Sequence, residues 1–65
     1  MKKAEEYVYK ICQTKSFSVA AKELYVSQPA LSKTIKNLET ELGYEIFNRN
    51  HYPVTLTREG ELYAE

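Results

Sequence analysis

Residues 27–43 read as one helix with both of its ends marked, and in a chain of 65 residues that helix sets the terms for everything else. Leu31, Ile35, Leu38 and Leu42 recur at steps of four, three and four, the spacing of a single helical face. Ser27 offers a hydroxyl to cap the first turn. Pro29 falls inside that turn, where its missing N–H costs little. Gly43 is the expected stop, because glycine takes the left-handed backbone conformation without a Cβ clash. A chain this short hides only about 60% of the surface that its unfolded form exposes. The apolar stripe must therefore find its partners among the few elements that remain.

Two of those elements precede it. From Lys3 to Thr14, the residues Ala4, Tyr7, Val8, Ile11 and Cys12 share one helical face, with Lys and Glu on the other. Lys15 to Ser18 breaks the pattern, and Ser18 is the expected N-cap of a short helix from Val19 to about Leu24. Ala20 and Ala21 give that helix a small-residue face that packs close to a neighbour. After Gly43 the period changes. Ile46-Phe47 and Val54-Thr55-Leu56 are short β-prone runs, and the polar stretch 48–53 between them is turn-like, which predicts a two-stranded wing. Thr57 is the expected cap of a fourth helix starting near Arg58 and still running at Glu65.

Composition closes off the alternatives. One cysteine, Cys12, excludes an internal disulfide, and with His51 as the sole histidine no four-ligand Cys/His zinc site can form. The domain must fold by packing alone. No nucleophile–base pair offers itself, so neither a catalytic residue nor a metal ligand is assigned. No apolar run approaches the roughly 18 residues that span a bilayer, and Met1-Lys2-Lys3 leads into Glu5 and Glu6 rather than into a secretory signal. The expectation is a cytoplasmic protein with no membrane partner. Cys12 is expected in the core, His51 in an exposed loop, and Tyr7, Tyr25, Tyr44 and Tyr63 half-buried with wet hydroxyls.

Two helices joined by a tight turn, the second opening with polar residues, form a helix-turn-helix candidate over Phe17–Lys36. Ala21 lies where the helices cross, and Leu24, Val26, Leu31 and Ile35 anchor the turn and the second helix. The turn residue that is often glycine is Tyr25 here, which requires either an ordinary backbone or a strained tyrosine. On a helical wheel at about 100° per residue, Pro29, Lys33, Lys36 and Thr40 lie opposite the core stripe, flanked by Ser32 and Asn37, and Gln28 projects nearer the core. Glu39 and Glu41 come only later in the helix. A recognition helix needs this order, because its N-terminal turns enter the major groove.

The set Ser16-Phe17-Ser18-Val19-Ala20-Ala21, Leu24, Val26 through Ile35, Leu38-Glu39, Leu42-Gly43, Ile46-Phe47-Asn48-Arg49 and Leu56-Thr57-Arg58-Glu59-Gly60 resembles the N-terminal DNA-binding domain of LysR-type transcriptional regulators, over nearly the whole chain. The resemblance implies a mainly α fold with a small β-hairpin wing: a winged helix-turn-helix with a three-helix core over residues 1–57, and the start of a linker or dimerisation helix over 58–65. It implies an effector-binding domain that is absent from this chain. It further implies sequence-specific binding of double-stranded promoter DNA. A small co-inducer would be bound only by the missing domain, with no cofactor of the chain's own. Parents would be homodimers or tetramers, and this piece a monomer or weak dimer.

The resemblance also implies roles. Gln28 pairs with an adenine edge, Lys33 donates to guanine, and Pro29 and Ala30 touch a thymine methyl. Ser18, Ser27, Ser32, Thr34 and Lys36 bind phosphates, and Arg49 reaches a phosphate or the minor groove from the wing. The rival role for Arg49 is an ion pair with Glu45. The rival for the whole domain is a winged helix that binds protein instead of DNA.

The net charge of zero speaks against nucleic acid only until the chain is divided. Residues 1–38 carry seven Lys against Glu5, Glu6 and Glu23, a balance of +4, and residues 39–65 carry Arg49 and Arg58 against six Glu, a balance of −4. The basic half contains the helix-turn-helix.

Overall fold

The computed structural model describes residues 3–64, in the order α1 (Lys3–Thr14), α2 (Phe17–Leu24), α3 (Gln28–Leu42), β1 (Phe47–Asn48), β2 (Thr55–Leu56) and α4 (Arg58–Ala64). The three N-terminal helices pack on one another, and the hairpin and α4 close the open end. The expected winged helix-turn-helix is what forms. The charges counted at Lys2 and Glu65, and the expected course of the last helix at Glu65, lie outside the described residues.

The helix ends follow local chemistry. In α3 the Ser27 hydroxyl accepts from Ala30 N at 3.1 Å, and Gly43, at φ 83°, donates its N–H to Glu39 O at 2.9 Å. In α4 the Thr57 hydroxyl accepts from Gly60 N at 2.9 Å, as its position predicts. The start of α2 departs from expectation. Ser16, not Ser18, is the cap: its side chain accepts from Val19 N at 3.1 Å, and the helix begins at Phe17. Thr14 decides this, because its hydroxyl donates to Lys10 O at 2.9 Å and to Ser16 O at 3.0 Å, so the chain turns before Ser16. The earlier start brings the Phe17 ring edge-on to Phe47, with centroids 5.7 Å apart.

The turn between α2 and α3 uses the strained option. Tyr25 is left-handed at φ 60°, ψ 39°, which costs a non-glycine residue about 1–2 kcal/mol. Its N–H donates to Lys22 O at 3.2 Å, and Val26 N donates to Ala21 O at 3.0 Å, so the turn is held by backbone bonds. Tyr25 itself is 94% exposed, not half-buried as anticipated, whereas Tyr7 is fully in the core and Tyr44 and Tyr63 sit between.

The core gathers Tyr7, Val8 and Ile11 from α1, Ala20 and Ala21 from α2, Leu31 and Ile35 from α3, and Ile46 and Phe47 at the start of the wing. Leu38, Leu42 and Cys12 pack against this centre only half-buried. Burying two or three such large side chains is worth about 1.5–3 kcal/mol each, which is substantial for a domain without a staple.

The wing is shorter than its apolar runs suggest. Antiparallel β1 and β2 pair only Phe47 with Leu56 and Asn48 with Thr55. Ile46 still accepts from Thr57 N at 2.8 Å, but its N–H is taken by a side chain of α3, and Val54 N–H donates to Lys15 O at 2.9 Å.

Candidate nucleic-acid interface

The first half of α3 presents its polar residues to solvent. Gln28, Pro29, Ala30 and Lys33 are all exposed, with Lys36 one turn further on. Among the described residues the ion pairs are Lys10–Glu23 at 3.1 Å and Arg49–Glu39 at 2.9 Å. Lys33 and Lys36 therefore keep their charges available to an outside partner.

An open cleft of about 340 Å³ lies where the N-terminal turns of α2 and α3 meet the wing. Ser18, Gln28 and Ser32 line its helical side, and Arg49, His51 and Tyr52 its wing side. Four of the residues singled out in the sequence thus come together here. Ser18, freed from capping by Ser16, has its hydroxyl available, and Gln28, which the wheel put near the core, is exposed on the core's wing-facing flank. A second cleft of about 410 Å³ contains Lys36, Thr40, Tyr44 and again Arg49, so Arg49 stands between the two.

Thr34 lies apart from these residues. Its hydroxyl donates to Ala30 O at 3.0 Å, and it lines a separate cleft with Ala4, Leu38 and Tyr63. At about 100° per residue it lies about 160° from Ser32 around α3, on the other side of the core stripe. Ser27 remains at the mouth of α3, exposed, with its hydroxyl accepting the capping bond.

Arg49 does not form the ion pair with Glu45 that was its rival role. It pairs with Glu39 instead of Glu45, through Nη2 and Oε1, and its guanidinium lies 5.1 Å from the centroid of Phe17. Glu39 is the residue missed in the sequence. It is only 7% exposed, and its other oxygen accepts from Ile46 N at 2.7 Å and from Phe47 N at 3.3 Å. One carboxylate thus joins α3 to the root of the wing and, through Arg49, to α2. The signal was present: Glu39 lies only about 40° from Ile35 on the wheel, at the edge of the buried stripe.

Two other titratable groups among the described residues are shifted by burial. Burial pushes the Cys12 thiol up, the reverse of what activates a nucleophile. Burial, with the nearby Glu5 carboxylate adding to it, pushes the Tyr63 phenol up. Among the described residues no three His, Cys, Asp or Glu side chains group as metal ligands would, and no helix is long and apolar enough to cross a membrane.

Known proteins share both the sequence and this geometry. Residues 3–61 match the model of the bacterial regulatory helix-turn-helix proteins of the lysR family. The chain is 46% identical over 63 residues to the uncharacterized HTH-type transcriptional regulator YcgK of Bacillus subtilis (strain 168), covering 97% of this chain and 19% of that protein. It is 40% identical over 59 residues to the HTH-type transcriptional regulator BenM of Acinetobacter baylyi, covering 91% and 19%. The chain spans about a fifth of the length of the curated relatives it matches. Among solved structures, the BenM DNA-binding domain in complex with catB site 1 DNA superposes with a TM-score of 0.92 at 37% identity, over 98% of this chain and 70% of that one. The CbnR DNA-binding domain in its DNA complex superposes with a TM-score of 0.89 at 29% identity, over 98% and 75%.

Proposed function

Since the chain belongs to the lysR family of bacterial regulatory helix-turn-helix proteins, we propose that it binds double-stranded promoter DNA sequence-specifically, with α3 in the major groove and the wing on the adjacent backbone or minor groove. The observation that carries this reading is the convergence of Ser18, Gln28, Ser32 and Arg49 on one open cleft, beside the unpaired Lys33 and Lys36. Gln28 and Lys33 read base edges bidentately, and Pro29 and Ala30 contact a thymine methyl. Ser18, Ser27, Ser32, Lys36 and Arg49 fix the register on phosphates. Thr34 is left out of the contact set.

In this reading residues 1–57 are the DNA-binding domain and residues 58–65 open a linker helix. The chain performs no catalysis and needs no cofactor. A longer parent acts in the cytoplasm as a dimer or tetramer that answers to a small co-inducer. The BenM and CbnR domains are described as DNA complexes, which supports a DNA partner. The rival protein-binding module would need an apolar face on α3, and its exposed face carries Gln28, Lys33 and Lys36 instead.

Titration of fluorescent promoter duplexes with Lys33→Ala and Gln28→Ala tests the proposal. Each substitution costs about 1–3 kcal/mol of specific binding and relaxes the preference at one base pair. Parent-like binding and parent-like preference in both variants would refute the assignment of α3 as the reading element.

A further inference from the structure

Glu39 is almost withdrawn from solvent, yet it holds the cation that stands between the two clefts. We propose that Glu39 is a positioning residue for DNA discrimination. By pinning the Arg49 guanidinium it suppresses sequence-independent binding and reserves that charge for duplexes on which α3 is seated. The proposal rests on the DNA-binding reading of the domain and deepens it.

Three observations support it. The first is that the guanidinium is held from two sides. Its Nη2 donates to Glu39 Oε1 at 2.9 Å, and its carbon lies 5.1 Å from the centroid of the Phe17 ring. The second is that the holder is itself immobile. The other oxygen of Glu39 accepts from Ile46 N at 2.7 Å and from Phe47 N at 3.3 Å, which ties the carboxylate to the wing root as well as to α3. The third is that Arg49 is paired without being buried. A third of its side chain meets solvent, and it lines the clefts on both sides.

These features act on the two kinds of binding differently. Sequence-independent affinity comes almost wholly from cations that reach whichever phosphate is near. An arginine with its charge offset and its position fixed contributes little there. When α3 is seated, a phosphate is brought to the place where the guanidinium already stands, and no ordering of the side chain remains to be done. Specificity is the difference between the two affinities, so a carboxylate that lowers only the first raises it. The unpaired Lys33 and Lys36 carry no such restraint.

The test is fluorescence anisotropy with this chain on two duplexes of about 25 base pairs, one of mixed sequence and one selected by the parent from a random pool. It is run in 50 and 150 mM salt on the parent, Glu39→Gln and Glu45→Gln. In Glu39→Gln the amide oxygen still accepts from Ile46 N and Phe47 N, while the amide nitrogen sets a donor against Arg49 and releases it. Glu45 lines the same cleft as Lys36 and Arg49 but pairs with neither, so Glu45→Gln removes a charge there and leaves the pair intact. Glu39→Gln binds the mixed duplex on the order of fivefold more tightly than the parent, the worth of one charge pair at about 4 Å in water. Its salt slope there is steeper by about 0.9, one phosphate neutralised. On the selected duplex it gains less than about twofold, so its discrimination falls, whereas Glu45→Gln shifts both duplexes alike. A readout without a variant accompanies these: the Arg49 Nε–Hε resonance of the 15N-labelled parent keeps its place on saturation with the mixed duplex and moves with the selected one. A gain on the mixed duplex that is absent in Glu39→Gln, matched by Glu45→Gln or equal on the selected duplex overturns the proposal. So does an Arg49 resonance that moves with the mixed duplex. Each of these leaves the DNA-binding reading standing, and failure of the parent to bind either duplex at 50 mM salt overturns both.

Discussion

Glu39 is a charged residue placed where hydrophobic burial would have been the ordinary choice, and its three hydrogen bonds explain why it is tolerated there. A buried carboxylate is costly unless it is fully bonded. Here its acceptors are occupied by two backbone N–H groups that no strand partner claims and by one guanidinium. Removing it leaves the two backbone N–H groups buried without a partner. Glu39→Ala is therefore expected to cost about 3–5 kcal/mol, a large share of the stability of so small a domain. Urea unfolding followed by circular dichroism measures it, and a loss below about 1 kcal/mol would show that water or Arg49 alone can hold the root of the wing. In the sequence Glu39 stands only as one of the acidic residues late in the helix, because a wheel registers spacing, and spacing does not reveal a donor arriving from seven or eight residues downstream. The same blindness put Arg49 opposite Glu45, its neighbour along the chain, when the partner lies across the fold.

The elements divide into those that local chemistry specifies and those that tertiary contacts trim. The end of α1, both ends of α3 and the start of α4 were legible because periodicity, Ser27, Gly43 and Thr57 all act within a turn of the residues they affect. The start of α2 was not, because Ser16 and Ser18 are equally good caps in isolation and the choice is made by the Thr14 hydroxyl and the Phe17–Phe47 contact. The strands came out shorter than their apolar runs because the N–H groups of Ile46 and Val54 donate outside the hairpin. The most informative element in this respect is α4, whose Gly60 rests directly on the wing root. A Cβ at Gly60 would lie 2.0 Å from Ile46 O and 2.8 Å from Ile46 C, both backbone atoms that cannot swing aside. Helix propensity alone says that Gly60→Ala gains about 1 kcal/mol. The contact reverses the sign, and Gly60→Ala is expected to lose about 1–3 kcal/mol, as overpacking does. A lowered thermal midpoint checks this; a raised one would mean that α4 is not seated on Ile46.

For the molecule as a whole, charge is separated along the chain and again in space. The basic N-terminal portion provides Lys33 and Lys36 to the outside, whereas Lys10 and Arg49 are each matched to a glutamate. Few net cations are thus left for a polyanion. The affinity for duplex DNA at pH 7.8 is expected to fall with salt at a log–log slope of about −1 to −3, at roughly −0.9 per phosphate neutralised. Binding isotherms between 50 and 200 mM salt measure it, and a slope steeper than about −5 would reveal contacts that α3 and the wing do not supply. The separation extends to the four positions proposed to read bases. Gln28, Pro29, Ala30 and Lys33 are exposed, and none of their side chains enters a hydrogen bond or ion pair within the described residues, while Leu31, Ile35 and Glu39 in the same helix hold the domain together. Exchanges at such exposed positions usually move stability by less than about 0.5 kcal/mol. A lineage carrying this domain can therefore change the DNA it answers to by single steps, each of which leaves a folded protein behind for selection to test.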